Sequence, residues 1–432
     1  MARRHDGWMP TIAEHQRAIR ALLAPLTQRA TVTLADLSPV ALSRLSPRNP
    51  LLATDVVSPI DLPPFDNSQM DGYAVLSAEV LPGQLMTVGP PIAAGAGVGE
   101  LEPRTTRPIM TGAAMPVGAD AIIPIELATP PRFPVWPAAN GPATVSFAET
   151  PVEGAYLRPR GSDSAAGSLL LASGTVLGPA QWAIIAAAGI TRVQLKRPVR
   201  VLVLSTGDEL CPPGEPLRAG QIYDANGTAL ALAVADCNAE VVAVAVVGDD
   251  AAAARRVLAE LAPGVDLVLS TGGVSKGAYE VVRDVFDGAG VAFGEVAVQP
   301  GGPQGLGLAT LQNSAGVDFT VPVVAFPGNP VSALVSFELF LRPILRELHG
   351  LSPRRIAQHL PLAQALDSPA AKHQVRRGRI VGAGPDAAVE LIGGPSSHLL
   401  HGYATATVLV HVPVEVSHLD ARETVEVWSI DD

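Results

Sequence analysis

Four acids stand where they could hold a cation beside an anionic ligand: Asp208, Glu209, Asp224 and Glu280. Each lies in or just after a loop that also carries glycine, hydroxyl or amide groups. The loops read "STGDEL" (Ser205 to Leu210), "GQIYDANG" (Gly220 to Gly227), "STGGVSKG" (Ser270 to Gly277) and "FPGNPVS" (Phe326 to Ser332). Backbone N–H groups at the start of a helix bind anions, and glycine lets the ligand come close. Mg²⁺ commonly joins one or two carboxylates to a phosphate. Taken singly, each loop is equally an ordinary corner whose Ser, Asp and Asn cap helices. The first two strings belong to one loop, and three such loops at one end of one sheet, with acids beside them, point instead to a site. No GxxxxGK[ST] or GxGxxG follows a strand, which sets this apart from Walker and dinucleotide loops. A further polar string, "PFDNSQMDGYAV" (Pro64 to Val75), reads locally as a turn between apolar strands.

The elements that hold these loops are legible as alternation. "VRVLVLS" (Val199 to Ser205), "EVVAVAVV" (Glu240 to Val247), "DLVLS" (Asp266 to Ser270) and "VPVVAF" (Val321 to Phe326) are apolar strands. Between them run helical stretches: Asn226 to Cys237, "DAAAARRVLAELA", the segment from Glu280, and Val331 to His349. Such alternation specifies a parallel sheet with both faces covered, and ligands of such sheets gather at the carboxyl ends of the strands. Ahead of this module, Thr11 to Leu23 is an amphipathic helix with a Thr11/Glu14 capping box. Residues 46–149 are Pro- and Gly-rich with short apolar runs, as in a small β domain. After Gly350 short alternating segments predict a C-terminal β-barrel or sandwich. The fold class is α/β plus β, multidomain, with a central three-layer α/β domain.

Composition narrows the function. Net charge is −11, from 30 Lys+Arg against 41 Asp+Glu, which disfavours a nucleic-acid surface. No apolar run is long enough to span a membrane, and the N-terminus lacks the apolar core of a secretory signal. The only cysteines, Cys211 and Cys237, have no metal-ligand spacing around them, so a reducing cytoplasm is the expected location.

In order, "DNSQMDGYAV", "RPIMTGAAMPVGADAIIP", "STGDEL", "GQIYDANG", "STGGVSKG", "QPGGPQGLG" and "FPGNPVSA" resemble the molybdopterin molybdenumtransferase family, the MoeA type that includes the E domain of gephyrin. The resemblance runs from about Thr11 to the C-terminus. It implies an elongated homodimer whose active cleft is shared between subunits. Four domains follow per subunit: 10–45 with 150–195, 46–149, 196–349 and 350–432. The implied reaction inserts metal from molybdate into adenylylated molybdopterin and releases AMP, with Mg²⁺ required. Contacts with other molybdenum cofactor synthesis proteins are part of the same expectation.

By the same resemblance Asp66, Thr111, Asp208, Asp224 and Glu280 take metal, molybdate or hydrolytic roles, with Asp208, Asp224 and Glu280 as the metal ligands. Ser205, Thr206, Gly207, Asn226, Gly272, Gly273, Ser275, Lys276, Pro300, Gly301, Pro327, Gly328 and Asn329 would shape the pterin-phosphate pocket. Arg377 and Ser397 would face it from the C-terminal domain. The chain departs from the family's lysine-bearing "KPGKP" pattern, with Glu295, Gln299 and Gly302 where lysines stand in many members. Two other readings use the same loops. An adenylyltransferase would leave the "DNSQMDGYAV" and C-terminal domains superfluous, and a scaffolding paralogue would bind pterin without releasing AMP.

Overall fold

The computed structural model describes residues 9–138, 141–274, 281–286 and 288–430. They divide into two compact units: Met1–Ala53 with Gly174–Leu177 and Gln194–Asp432, and Thr54–Ser173 with Gly178–Val193.

The first unit is built on a six-stranded sheet. Its strands are β1 (Arg200–Thr206), β2 (Glu240–Val247), β3 (Leu267–Thr271), β4 (Val291–Glu295), β5 (Pro303–Gln312) and β6 (Asp318–Phe326). Their spatial order is β2-β1-β3-β6-β5-β4. The four strands expected from the sequence run parallel, and β3 is buried along its whole length, as a two-sided sheet requires. β4 and β5 extend the sheet antiparallel, so it is mixed where the alternation alone predicted a parallel one. Ser205 pairs with Thr271, and Thr271 with Phe326, so the ends of three parallel strands fall in one row.

Helices α1 (Ala225–Ala235) and α2 (Ala251–Leu261) are each capped by an aspartate, Asp224 and Asp250, whose carboxylate accepts a backbone N–H of the first turn. Helix α3 (Val281–Phe286) follows β3. The long helix read over Val331 to His349 is interrupted: α4 (Pro330–Ser336) and α5 (Arg342–Leu348) flank a π turn at Phe337–Leu341. Pro343 accounts for the break, because it has no N–H to give to the Leu339 carbonyl one turn back. Gln16 Nε2 donates to that carbonyl at 2.6 Å instead. Gln16 lies on the helix Ile12–Leu23, whose Thr11/Glu14 capping box forms as the sequence predicts. Ile19 and Leu23 of that helix are fully buried in the core that also holds Val201, Val203, Leu230 and Phe340.

The same unit ends in a second six-stranded sheet, centred on His373–Val381 and Val408–Val412, with its own core of Leu362, Val389, Val410 and Val427. His373–Val381 also pairs with Val298–Gln299, so these strands are hydrogen-bonded to the segment between β4 and β5.

The second unit carries short strands, as its composition predicts. Gly72–Val75 sits between Thr105–Ile109 and Ala121–Pro124 in a six-stranded sheet around buried Tyr73, Val75 and Phe147. Among the described residues no helix is long and apolar enough to cross a membrane.

Candidate functional site

The row formed by Ser205, Thr271 and Phe326 places three loops side by side, and one side chain ties them together. Asn226, in the first turn of α1, donates from Nδ2 to the Gly328 carbonyl at 2.7 Å and to Thr271 Oγ1 at 3.1 Å. Thr206 Oγ1 donates to the Thr271 carbonyl at 3.1 Å, and Gly272 N donates to the Phe326 carbonyl at 3.1 Å. The glycines are needed at this junction. Gly272 has φ +89°, and a Cβ there would lie 2.6 Å from the Thr206 carbonyl oxygen. A Cβ on Gly328 would lie 3.3 Å from Gly272 Cα.

These loops surround a cleft of about 360 Å³. Thr206, Gly207, Asn226, Gly272, Gly273, Gly328 and Asn329, all anticipated as ligand-binding residues, line it. Three carboxylates do so too: Glu209, Asp224 and Asp249. Asp224 is buried, with Oδ1 accepting from Gly227 N at 3.0 Å and from Ser205 Oγ at 3.1 Å. Ser205 therefore acts behind the lining, as a prop for Asp224. Asp208 is exposed and outside the lining: Oδ1 accepts from Asp249 N at 2.9 Å, which fixes the loop that presents the Asp249 carboxylate. Glu209 and Asp249 have no side-chain partner among the described residues. They supply the hard oxygen donors that Mg²⁺ takes alongside phosphate and water. Among the described residues, no three His, Cys, Asp or Glu side chains converge into a closed metal cage.

Other anticipated residues stand apart from this lining. Gly301 (φ +104°), which follows Pro300, lies against the side of α4, where a Cβ on it would lie 2.8 Å from Ser336 Oγ. Pro327 precedes the lining residue Gly328. The Ser397 carbonyl accepts from Val331 N at 3.2 Å, at the start of α4. Arg377 is buried, donates from Nη2 to the Gly394 carbonyl, and leaves Nε and Nη1 without a partner among the described residues. Burial, with the Arg376 charge beside it, pulls its guanidinium below the ordinary value. Where the family's lysines are missing, Glu295 faces Lys372 at 3.6 Å and Gln299 accepts from Gln374 at 2.9 Å. Ser275, Lys276 and Glu280 lie outside the described residues.

In the second unit the strings around Asp66 and Thr111 lie side by side through an Asn67–Ala114 bridge. Asp66 Oδ1 accepts from Arg160 N at 2.6 Å. Asp71 Oδ1 accepts from both Thr111 N (2.7 Å) and Thr111 Oγ1 (2.8 Å), and those bonds hold its carboxyl below the usual range.

Of the lining residues, Asp249 lies outside every motif quoted above, and Tyr223 lies inside one without having been given a role. Asp249 follows the carboxyl end of β2, so its place at the same sheet end was a usable signal. Tyr223, in "GQIYDANG", lines the cleft and donates from its hydroxyl to the Glu215 carbonyl at 3.0 Å.

Residues 11–189 match the model of the MoeA N-terminal region (domain I and II), and residues 202–347 match that of a probable molybdopterin binding domain. Molybdopterin molybdenumtransferase 2 of Mycobacterium tuberculosis is 39% identical, over 97% of each chain. Molybdopterin molybdenumtransferase of Haemophilus influenzae is 32% identical, over 88% of this chain and 91% of its own. Among solved structures, the molybdopterin biosynthesis MoeA protein of Pyrococcus horikoshii superposes with a TM-score of 0.75 at 26% identity. That superposition covers 98% of this chain and 99% of the other.

Proposed function

The chain belongs to the molybdopterin molybdenumtransferase family, and from that premise we propose that the cleft at the ends of β1, β3 and β6 binds adenylylated molybdopterin by its phosphates. The enzyme is a transferase of molybdenum cofactor biosynthesis that acts on molybdopterin. Metal from molybdate enters the dithiolene, water adds across the phosphoanhydride, and AMP leaves. The observation that carries the assignment of the site is Asn226. By bonding to Gly328 and Thr271 it fixes three glycine-bearing loops in one geometry, so their N–H groups are organised before the substrate arrives.

Glu209 and Asp249 hold Mg²⁺ in this reading, with Asp208 as the prop of Asp249 and Asp224 as the cap of α1. The bound cation offsets the charge that two phosphates and three carboxylates bring together. Gly272, Gly273 and Gly328 let the phosphates approach the backbone. Asp66, Thr111, Arg377 and Ser397 keep the roles that the family resemblance implies for them, as do Ser275, Lys276 and Glu280, which lie outside the described residues. The four-segment division of the chain and a homodimer belong to the same proposal; light scattering at micromolar concentration checks the dimer.

The test is AMP release from adenylylated molybdopterin by purified protein with Mg²⁺, with and without molybdate. Molybdate-dependent release is expected, reduced at least tenfold in Asp249→Asn and less in Asp208→Asn, which keeps a side-chain oxygen to accept from Asp249 N. Tight pterin binding with no AMP in any condition would replace this reading by that of a pterin-binding scaffold. If Asp208→Asn proved the more damaging change, Asp208 would be the ligand and Asp249 the bystander.

A further inference from the structure

Thr111 stands in a tight turn of the second unit, and one carboxylate oxygen takes both of its polar hydrogens. Ala113 N donates to the Met110 carbonyl at 2.9 Å, with Gly112 at φ +76° where such a turn needs a left-handed residue. Gly112 N donates to the Ser68 carbonyl at 2.9 Å, and Ser68 N to the Ala113 carbonyl at 3.0 Å, which seats the turn on the string that follows Asp66. Asp71 Oδ1 then accepts from Thr111 N at 2.7 Å and from Thr111 Oγ1 at 2.8 Å.

The main-chain bonds account for the turn, and the hydroxyl bond is left over. Thr111 caps no helix, whereas the hydroxyl bond from Thr11 to Glu14 belongs to a capping box. Thr111 is exposed, so water alone would satisfy its hydroxyl. Asp71 takes that hydrogen instead. The bonds from Thr111 N and Oγ1 hold the Asp71 carboxyl below the usual range, so it is ionised at neutral pH and can only accept. A hydroxyl has one hydrogen to give. With that hydrogen committed, Thr111 Oγ1 turns only lone pairs outward, and it makes no other bond among the described residues.

We propose that Asp71 is a positioning residue that makes Thr111 an acceptor, and that Thr111 holds an O–H of the water consumed when AMP is released. The proposal rests on the function assigned above. Molybdate at neutral pH is a bare oxyanion, brings acceptors alone, and would meet lone pairs at Thr111 Oγ1. The arrangement thus selects the hydrolytic part among the roles open to this residue. No proton passes to Asp71: a carboxyl held below its ordinary range is a weak base, and its part is to orient.

Two measurements on the full chain test this. The first is AMP release at saturating molybdate and Mg²⁺. Asp71→Ala is expected to lower kcat about tenfold with KM for molybdate unchanged, and Asp71→Asn, whose Oδ1 still accepts, to lose less. Thr111→Val removes the hydroxyl and keeps the backbone N–H, so in that background Asp71→Ala should cost nothing further. An equal loss in both backgrounds would mean that Asp71 serves only the turn. A raised KM for molybdate or a raised Mg²⁺ requirement, with kcat intact, would mean that Thr111 touches the oxyanion or the cation. Either result overturns the proposal. The second measurement needs no turnover: a carbon-13 titration of the Asp71 carboxyl, whose midpoint should move up toward the ordinary aspartate range in Thr111→Val. A midpoint that stays in place overturns the hydroxyl bond and the proposal with it. A wild type that released no AMP would remove the proposed reaction and the role in it, while the titration would still decide whether Asp71 commits the hydroxyl.

Discussion

Asn226 spends its amide hydrogens on protein groups, which makes it a strut of the cleft rather than a hand on the ligand. Removing it would leave Thr271 Oγ1 short of a donor in a buried setting, and the Gly328 carbonyl short of one at the cleft's exposed edge. The buried loss costs about 1–3 kcal/mol. Asn226→Ala should therefore lower the urea midpoint measurably and raise KM for the pterin, because the three loops would no longer be held in register. A normal midpoint with a raised KM would instead mean that the amide touches substrate. Ser205 and Asp224 show the same division of labour, since the hydroxyl props the carboxylate and the carboxylate caps α1. The residue types of these loops were legible in the sequence, but their duties were not. "STGDEL" offers Asp208 and Glu209 on equal terms. Only the bond from Asp249 N to Asp208 separates the acid that props a neighbouring loop from the acid that lines the cleft.

Elements were legible in proportion to their periodicity. β1, β3 and β6 are largely apolar runs rich in Val and Leu, and α1 and α2 follow polar caps, so composition and position agree. β4 and β5 were not seen because glycine interrupts them: "VAFGE" and "PQGLGLATLQ" lack alternation. Their glycines answer to close packing. At Gly305 a Cβ would meet the Phe293 ring at 2.6 Å, across the β4–β5 pair. The interrupted helix ending in α5 hides its break in the same way, since a run of apolar residues around Pro343 reads as continuous. Gln16 is the partner that makes the break tolerable. Gln16→Leu would remove a side-chain donor from the Leu339 carbonyl, for an expected cost of about 1–3 kcal/mol by urea denaturation. A further change of Pro343→Ala should recover much of that cost by restoring the helical N–H. If the single change left stability untouched, the π turn would owe nothing to Gln16.

At the scale of the whole molecule, all nine histidines fall in the first unit and its flanking segments, and three of them are buried where protonation is resisted. Burial pushes His15 and His349 down to about 4 and His411 down to about 3. His349 shows the local reason most clearly. Its Nε2 accepts from Val199 N at 3.1 Å while Nδ1 bonds to the Leu345 carbonyl at 2.7 Å, so the neutral ring with its proton on Nδ1 satisfies both. A second proton on Nε2 would break the bond to Val199, at the first residue before β1. The folded pKa values lie below the unfolded value near 6.5. The unfolded chain therefore takes up protons first, and the stability these groups contribute is present above about pH 6.5 and is lost as pH falls toward 4. Each histidine adds a slope on the order of 1.4 kcal/mol per pH unit in that window. The second unit contains no histidine and should be indifferent to the same change. Protein held in mild urea at pH 7.5 and at pH 5, then pulse-labelled with deuterium at one common pH, separates the two. Labelling should rise at pH 5 around residues 199–206 and 342–349 and stay constant across residues 72–75 and 105–109. Equal gains in both units would mean that carboxylates, which the two share, govern acid lability in place of the buried imidazoles.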